Sequence, residues 1–206
     1  MSRHQVIRRV GEELRRVLID AFEADPNVGP LFPSGVDQKV SLAPPVTEDP
    51  ATAPAPLSLW LYQVSENEYL RNRPQAVASD GTLRRPPLAL SLNYLVTPVA
   101  KPGPGSGGPP AAELHSQELL GKVLETFHDN AIIALVDGAV AEELHLALCR
   151  MTIVELSEVW EALRQPYRLS VCYRVNVARI DSRHISRGAL IVERRLEYHE
   201  LFAHAG

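Results

Sequence analysis

LSLWLYQV at Leu57–Val64, LALSLNYLVT at Leu88–Thr97 and RLSVCYRVNVARI at Arg168–Ile180 decide the fold. Each alternates apolar and polar residues with the period of two that a β-strand requires. In the first, Leu57, Leu59 and Leu61 point to one face while Trp60, Tyr62 and Val64 point to the other. Apolar residues on both faces predict a central strand covered on both sides. In the second, Leu88, Leu90, Leu92, Tyr94 and Val96 share one face, with Ala89, Ser91 and Asn93 opposite. That pattern predicts a half-buried strand, antiparallel to its neighbour. In the third, Leu169, Val171, Tyr173, Val175 and Val177 face the core, and Ser170, Arg174 and Asn176 face away.

Working outward, Lys39–Ala43 and Leu144–Ile153 (LHLALCRMTI) read as further strands, the second preceded by Asp137-Gly138. Asp80-Gly81 marks a tight turn. Leu190–Tyr198 alternates with polar neighbours and reads as an edge strand or an arm reaching a partner. Gln5–Ala24 reads as a helix: Val6, Val10, Leu14, Val17, Leu18 and Ala21 fall on one arc, and arginines and glutamates occupy most of the rest. Asp25-Pro26 ends it, because the residue before proline disfavours the helical region. Ala112–Asn130 is a second helix with Leu120, Val123, Leu124, Phe127 and Ala131 as its stripe, and Ser157–Leu163 a short third carrying Trp160. The sum predicts an α/β (α+β) domain, a mostly antiparallel sheet packed with two longer helices.

Proline divides these blocks. The chain has 17 prolines in 206 residues, against an average near 5%. They cluster in a connection over 26–56 and in a Gly/Pro-rich loop over 98–110. The length suits one domain able to bury its own core without disulfide or metal. A net charge of −4 gives no reason to expect nucleic acid, whose binders carry a dense basic surface. Cys149 and Cys172, both in predicted strands, read as buried reduced thiols of a protein made in the cytoplasm. No run has the roughly 20 apolar residues that span a bilayer.

Catalytic chemistry finds no foothold. The seven histidines, at 4, 115, 128, 145, 184, 199 and 204, lack the i,i+3 or i,i+4 spacing of paired metal ligands. Ser91 and Ser170 lie on strand faces without the Gly-flanked turn of a nucleophile elbow. The carboxylates Glu66, Glu68, Asp129, Glu142 and Glu143 suggest no acid–base pair. GPGSGG at Gly103–Gly108 lacks the Lys-Ser/Thr of a phosphate loop. The expectation is no catalytic, cofactor-binding or metal site and no cofactor. The connection between the first two long strands carries Tyr69, Arg71, Arg73, Arg84 and Arg85. Tyr and Arg are enriched at binding hot spots, so these five are candidate contacts with another subunit or a tube.

Five blocks in order, LSLWLYQVSENEYLRN, PPLALSLNYLVTP, LLGKVLETFHDNAII, ELSEVWEAL and PYRLSVCYRVNVARIDS, resemble the terminator (cap) proteins of phage-tail-like extracellular contractile injection systems. The resemblance covers about Val6 to Ser182. It implies a terminator-like α/β domain over 1–182, similar in fold to the tail terminators of contractile phages, followed by a C-terminal strand or arm over 183–206. It implies a ring, commonly a hexamer, on the end of the inner tube and the last sheath layer. That ring stops polymerisation and holds sheath to tube. No catalytic residue carries over. The partners expected are copies of the chain, inner tube and sheath, with neither nucleic acid nor membrane. Assembly would take place in the cytoplasm, as part of a particle that is released. A baseplate or adaptor subunit of the same particle is the second reading.

Overall fold

The computed structural model describes residues 5–28, 40–46, 56–71, 76–77, 82–99, 109–137, 140–180 and 185–187. The chain divides into two compact units, Met1–Asn72 with Pro87–Asp181 and Arg73–Pro86 with Ser182–Gly206. The larger unit contains α1 (Val6–Ala24), β1 (Val40–Ser41), β2 (Leu57–Glu66), β5 (Leu88–Pro98), α2 (Pro109–Asp129), β6 (Ile132–Asp137), β7 (Val140–Leu148), α3 (Ile153–Ala162) and β8 (Val171–Ile180). The smaller contains β3 (Ala76–Val77), β4 (Thr82–Arg84) and β9 (Ile185–Arg187), joined antiparallel in the order β3-β4-β9.

The larger unit is built on a six-stranded sheet in the order β1-β2-β5-β8-β7-β6. Only the two-residue β1 runs parallel to its neighbour; every other pair is antiparallel. Alternation along the strands sorts side chains between two layers. One face receives Leu57, Leu59, Leu92, Tyr94, Val96, Leu144, Tyr173 and Val175, packed under the apolar stripes of α1 and α2. The stripe of α1 is Val10, Leu14, Leu18 and Phe22, each at most 1% exposed. The opposite face carries Leu95, covered by Leu156 and Trp160 of α3 and flanked by Trp60, Tyr62 and Met151. Two cores therefore share one sheet.

Gly11 lies on the buried face of α1. It is buried, and a Cβ there would lie 3.5 Å from Tyr94 Oη and 3.7 Å from Leu42 Cδ1. Those are ordinary contacts, so alanine fits. Glycine inside a helix costs about 1 kcal/mol relative to alanine. Gly11→Ala is therefore expected to raise stability by about that amount in chemical denaturation. A loss of stability would mean that the α1–β5 contact cannot yield at all.

The ends of α1 and α3 are set locally. Asp25, just past α1, accepts from the backbone N–H groups of Asn27 (2.9 Å) and Val28 (3.3 Å) and pairs with Lys122 Nζ of α2 at 3.0 Å. The backbone donor of Asn27, then Lys122, hold its carboxyl below the usual range. A capping box starts α3: Thr152 Oγ1 accepts from Glu155 N–H (3.3 Å), and Thr152 N–H donates to Glu155 Oε2 (2.7 Å). Its far end turns through Arg164 at φ 54°, with Gln165 N–H reaching back to Trp160 O at 3.1 Å. That is the left-handed C-terminal cap of a helix.

Several expectations change. β5 is not half-buried: every residue from Ala89 to Pro98 is buried, because α3 and the neighbouring strands cover its second face. β2 is not covered throughout. Its first three residues are buried and its last four exposed, since β1 accompanies it only at Leu57 and Ser58. The pairing of β2 with β5 skips Tyr62, passing from Leu61↔Tyr94 to Gln63↔Asn93. This β-bulge resets the alternation. Gln63, not Val64, joins the face of Trp60, and Val64 is left 45% exposed.

The run Leu144–Ile153 is not one strand. β7 ends at Leu148, and Thr152 and Ile153 already belong to the cap and first turn of α3. Cys149 thus lies beyond β7 and is half-buried rather than buried, whereas Cys172 is buried in β8. Leu169 precedes β8 and is 44% exposed. A strand not expected from the pattern, β6, forms a hairpin with β7 whose pairing runs from Ile132↔His145 to Asp137↔Val140. Asp80-Gly81 and Leu190–Tyr198 lie outside the described residues.

Candidate functional site

The outer face of the sheet carries a polar row where α3 does not cover it. Register builds it: Gln63 of β2 stands opposite Asn93 of β5, which stands opposite Arg174 of β8. Asn93 Nδ2 donates to Gln63 Oε1 at 2.8 Å, and Arg174 Nε donates to Asn93 Oδ1 at 3.1 Å. One step along, Ser91 Oγ donates to Asn176 Oδ1 at 2.9 Å. Asn93 and Ser91 are buried at the centre, while Gln63 and Arg174 are exposed at its flanks. A row whose inner members satisfy one another and whose outer members keep free valences suits a wet, orientation-specific protein contact.

Beyond the row, towards α3, lies a small sulfur-rich cluster. Tyr62 Oη is 3.1 Å from Cys172 Sγ and donates to Met151 Sδ at 3.6 Å. Burial first, then the Cys172 contact, push the Tyr62 phenol well up, so it stays neutral. Cys149 N–H donates to Cys172 O at 2.8 Å.

The sheet ends, on one side, in β6. Ile133 and Leu135 are buried there, while Ile132 and Val136 are 58% and 62% exposed. Arg9 of α1 donates to the carbonyl of Val136. Leu148, at the end of β7, is also more than half exposed. Tyr167 and Leu169 border an open groove of about 560 Å³ between the start of α2 and the end of β5. Single exposed apolar residues are ordinary. Ile132 and Val136 share one face of the edge strand β6, whereas Leu148, opposite Tyr173, lies on the face that α2 covers.

The five residues expected to make contacts are divided by the fold. Tyr69 sits in a single 3-10 turn, Glu68–Leu70, whose N-cap Asn67 accepts from Tyr69 N–H at 3.1 Å. Its side chain is 96% exposed, far more than an ordinary tyrosine. Arg71 is exposed and reaches Glu66 Oε2 at 3.7 Å, an ion pair of about 0–1 kcal/mol at such exposure. Tyr69 and Arg71 belong to the larger unit. Arg84, in β4, and Arg85, exposed after it, belong to the smaller. Arg73 lies outside the described residues. The polar row itself was half legible. Ser91, Asn93, Arg174 and Asn176 stand out as polar positions on strands, but the bulge at Tyr62 hid Gln63.

Among the described residues, no group of three or more His, Cys, Asp or Glu is arranged to hold a metal ion. No helix there is long and apolar enough to cross a membrane.

The family model for the Pvc16 N-terminal domain matches residues 9–194. Two solved structures are similar in fold. One is the sheath/tube terminator of PVC, an extracellular contractile injection system, in its extended state; it is 19% identical with a TM-score of 0.54 over 91% of this chain. The other is the tube-terminating cap of the anti-feeding prophage, 18% identical with a TM-score of 0.52 over 87% of this chain. The chain spans 63% and 58% of the lengths of those two proteins. No curated protein matches it.

Proposed function

Because the chain belongs to the family of the Pvc16 N-terminal domain, we propose that it is the structural cap, or terminator, of a contractile injection system. In this reading it forms a ring, a hexamer, on the end of the inner tube and sheath. It stops polymerisation and holds sheath to tube. The observation that carries the reading is a family match over residues 9–194, joined to a fold shared with two terminating proteins over most of the chain. Both relatives come from the terminating end of their particles, which favours a cap over a baseplate or adaptor subunit.

The physical requirements fit. A terminator binds a growing end with one surface and offers no copy of the tube's own site on the other. A head-to-tail ring does this when its rotation closes. The larger unit carries unlike surfaces for such contacts, with a polar row along β2, β5 and β8 and exposed Ile132 and Val136 on the edge strand β6. The work is binding, not turnover, so the protein is not an enzyme and needs no cofactor. Its partners are other copies of itself, tube and sheath, without nucleic acid or membrane. It assembles in the cytoplasm and leaves with the released particle. We assign residues 1–182 to the terminator domain and 183–206 to the arm, of which Ile185–Arg187 pairs with Thr82–Arg84 in the smaller unit.

Mixing the purified chain with preassembled inner tubes tests this. Cap density at one end and arrested elongation are expected. Tubes that keep growing, with bare ends, would reject the reading.

Tyr69, Arg71, Arg73, Arg84 and Arg85 are the contacts we assign to the ring or tube. Reversing two charges in an interface costs several kcal/mol through like-charge repulsion, more than tenfold in affinity. Arg71→Glu combined with Arg73→Glu is therefore expected to weaken ring formation or capping more than tenfold. Arg71 is exposed, so its substitution should change folding stability by no more than about 0.5 kcal/mol. An unchanged oligomer and particles of normal length would remove these residues from the interface.

A further inference from the structure

The pairing of β7 with β8 runs out to Leu148↔Tyr173. The next pair outward is Cys149 and Cys172, held opposite one another by Cys149 N–H donating to Cys172 O at 2.8 Å. Residues facing each other in such a hydrogen-bonded antiparallel pair have Cα atoms about 5.5 Å apart. That lies inside the range of roughly 4.4–6.8 Å that a disulfide bridges without moving the backbone. Residues directly opposite in such a pair project their side chains from the same face of the sheet. Cys149 and Cys172 are the only cysteines of the chain.

The two differ in environment. Cys149 is half-buried and open to solvent; Cys172 is 2% exposed, beneath Tyr62 Oη. The neighbouring Cys172 thiol, with the Arg174 guanidinium in support and burial opposing, brings Cys149 down to about 7. The neighbouring Cys149 thiol and burial push Cys172 up. At neutral pH the thiolate therefore resides on the sulfur that a small molecule can reach, which is the arrangement of an attacking cysteine and a resolving one.

We propose that Cys149 and Cys172 are a redox-active dithiol, in which Cys149 captures a low-molecular-weight disulfide such as oxidised glutathione and Cys172 resolves it into an intrachain disulfide. The Cys149 thiolate attacks one sulfur of the small disulfide. A Cys149–glutathione bond forms, and glutathione leaves as thiolate. Cys172 gives its proton to a departing thiolate, attacks the Cys149 sulfur and releases the second glutathione. Two protein thiols are oxidised, and one small disulfide is reduced to two thiols. The product staples β7 to β8 just before the segment that enters α3. A particle passing from a reducing cytoplasm to oxidising surroundings would acquire this bond without any change of register. The inference does not depend on the terminator reading.

Peptide mapping of the full chain after incubation with oxidised glutathione, alkylation and trypsin without reductant tests it. Cleavage after Lys122, Arg150, Arg168 and Arg174 separates Val123–Arg150 from Leu169–Arg174, so only this disulfide joins them. We expect the joined peptide to replace both alkylated thiols, and the melting temperature to rise. Cys172→Ser should trap a glutathionyl group on Cys149, and Cys149→Ser should take up glutathione at least tenfold more slowly. Two thiols that still alkylate after oxidation would overturn the proposal. So would a bond between chains, or equal glutathionylation of the two variants. The wild-type map decides the matter even if a variant fails to fold.

Discussion

Trp160→Ala is expected to lower the stability of the larger unit by about 3–5 kcal/mol, the range for removing a buried large aromatic. Trp160 is 1% exposed and is the chief anchor of α3 on the outer face of the sheet. Among the described residues, the buried apolar side chains clustered with it are Leu95 and Leu156, with Trp60, Tyr62, Met151, Val159 and Leu163 partly buried around them. So small a cluster has little with which to refill the space. The indole N–H also donates to Ser170 Oγ at 3.2 Å. That oxygen keeps a second partner, Arg168 O, at 3.1 Å, so the loss is mainly one of packing. At roughly 2–4 °C per kcal/mol for a chain of this size, a fall of the order of 10 °C or more in Tm is expected. Trp160→Phe should recover much of it. An unchanged Tm would mean that α3 adds nothing to the cooperative unit.

Phe127→Ala is expected to cost as much, from the other face. Phe127 is 2% exposed, in the layer that α2 packs onto the sheet. Its ring meets Tyr173 of β8 edge-on, with centroids 4.8 Å apart and planes at 72°. An aromatic pair of this geometry adds about 0.5–1.5 kcal/mol beyond area burial, so a loss of about 3–5 kcal/mol follows. The site borders an open groove lined by Leu124, His128, Leu146 and Leu148. Phe127→Leu, which refills part of the volume, should be the milder substitution. The two alanine variants are expected to differ in character. Loss of Phe127 loosens the core that joins two helices to the sheet, whereas loss of Trp160 frees α3 first. Hydrogen exchange along α3 separates them: early exchange in Trp160→Ala, late and concerted exchange in Phe127→Ala. Identical patterns would contradict the existence of two separate cores.

Much of this architecture was legible from period alone. The three long alternating runs became β2, β5 and β8, and these are the central neighbours of the sheet. The stripes of α1 and α2 were clear because Val10, Leu14 and Leu18, or Leu120, Val123 and Phe127, recur every three or four residues. What escaped was less periodic. Of the hairpin only Leu144–Leu148 was legible; β6 and the start of β7 were not, and the adjacent Glu142 and Glu143 break the alternation there. The start of α3 was hidden because Cys149 to Ile153 continues an apolar run; Thr152 and Glu155, a capping box, were the overlooked mark. The bulge at Tyr62 cannot be read from one strand, since it is a property of the pairing. The same holds for the candidate site. Its polar residues were visible, but their assembly into one row, and the meeting of Cys149 with Cys172, depend on a register that only the folded sheet fixes.

The chain belongs to the family of the Pvc16 N-terminal domain, and the unlike surfaces of its larger unit suit the closed ring proposed for it. The central claim is termination. Electron microscopy of particles from cells with and without this gene tests it most directly. The account predicts that, without the protein, tubes and sheaths become overlong and uneven and lose their end density, and that restoring it restores one length. Particles of normal length with an intact end cap in its absence would contradict the claim.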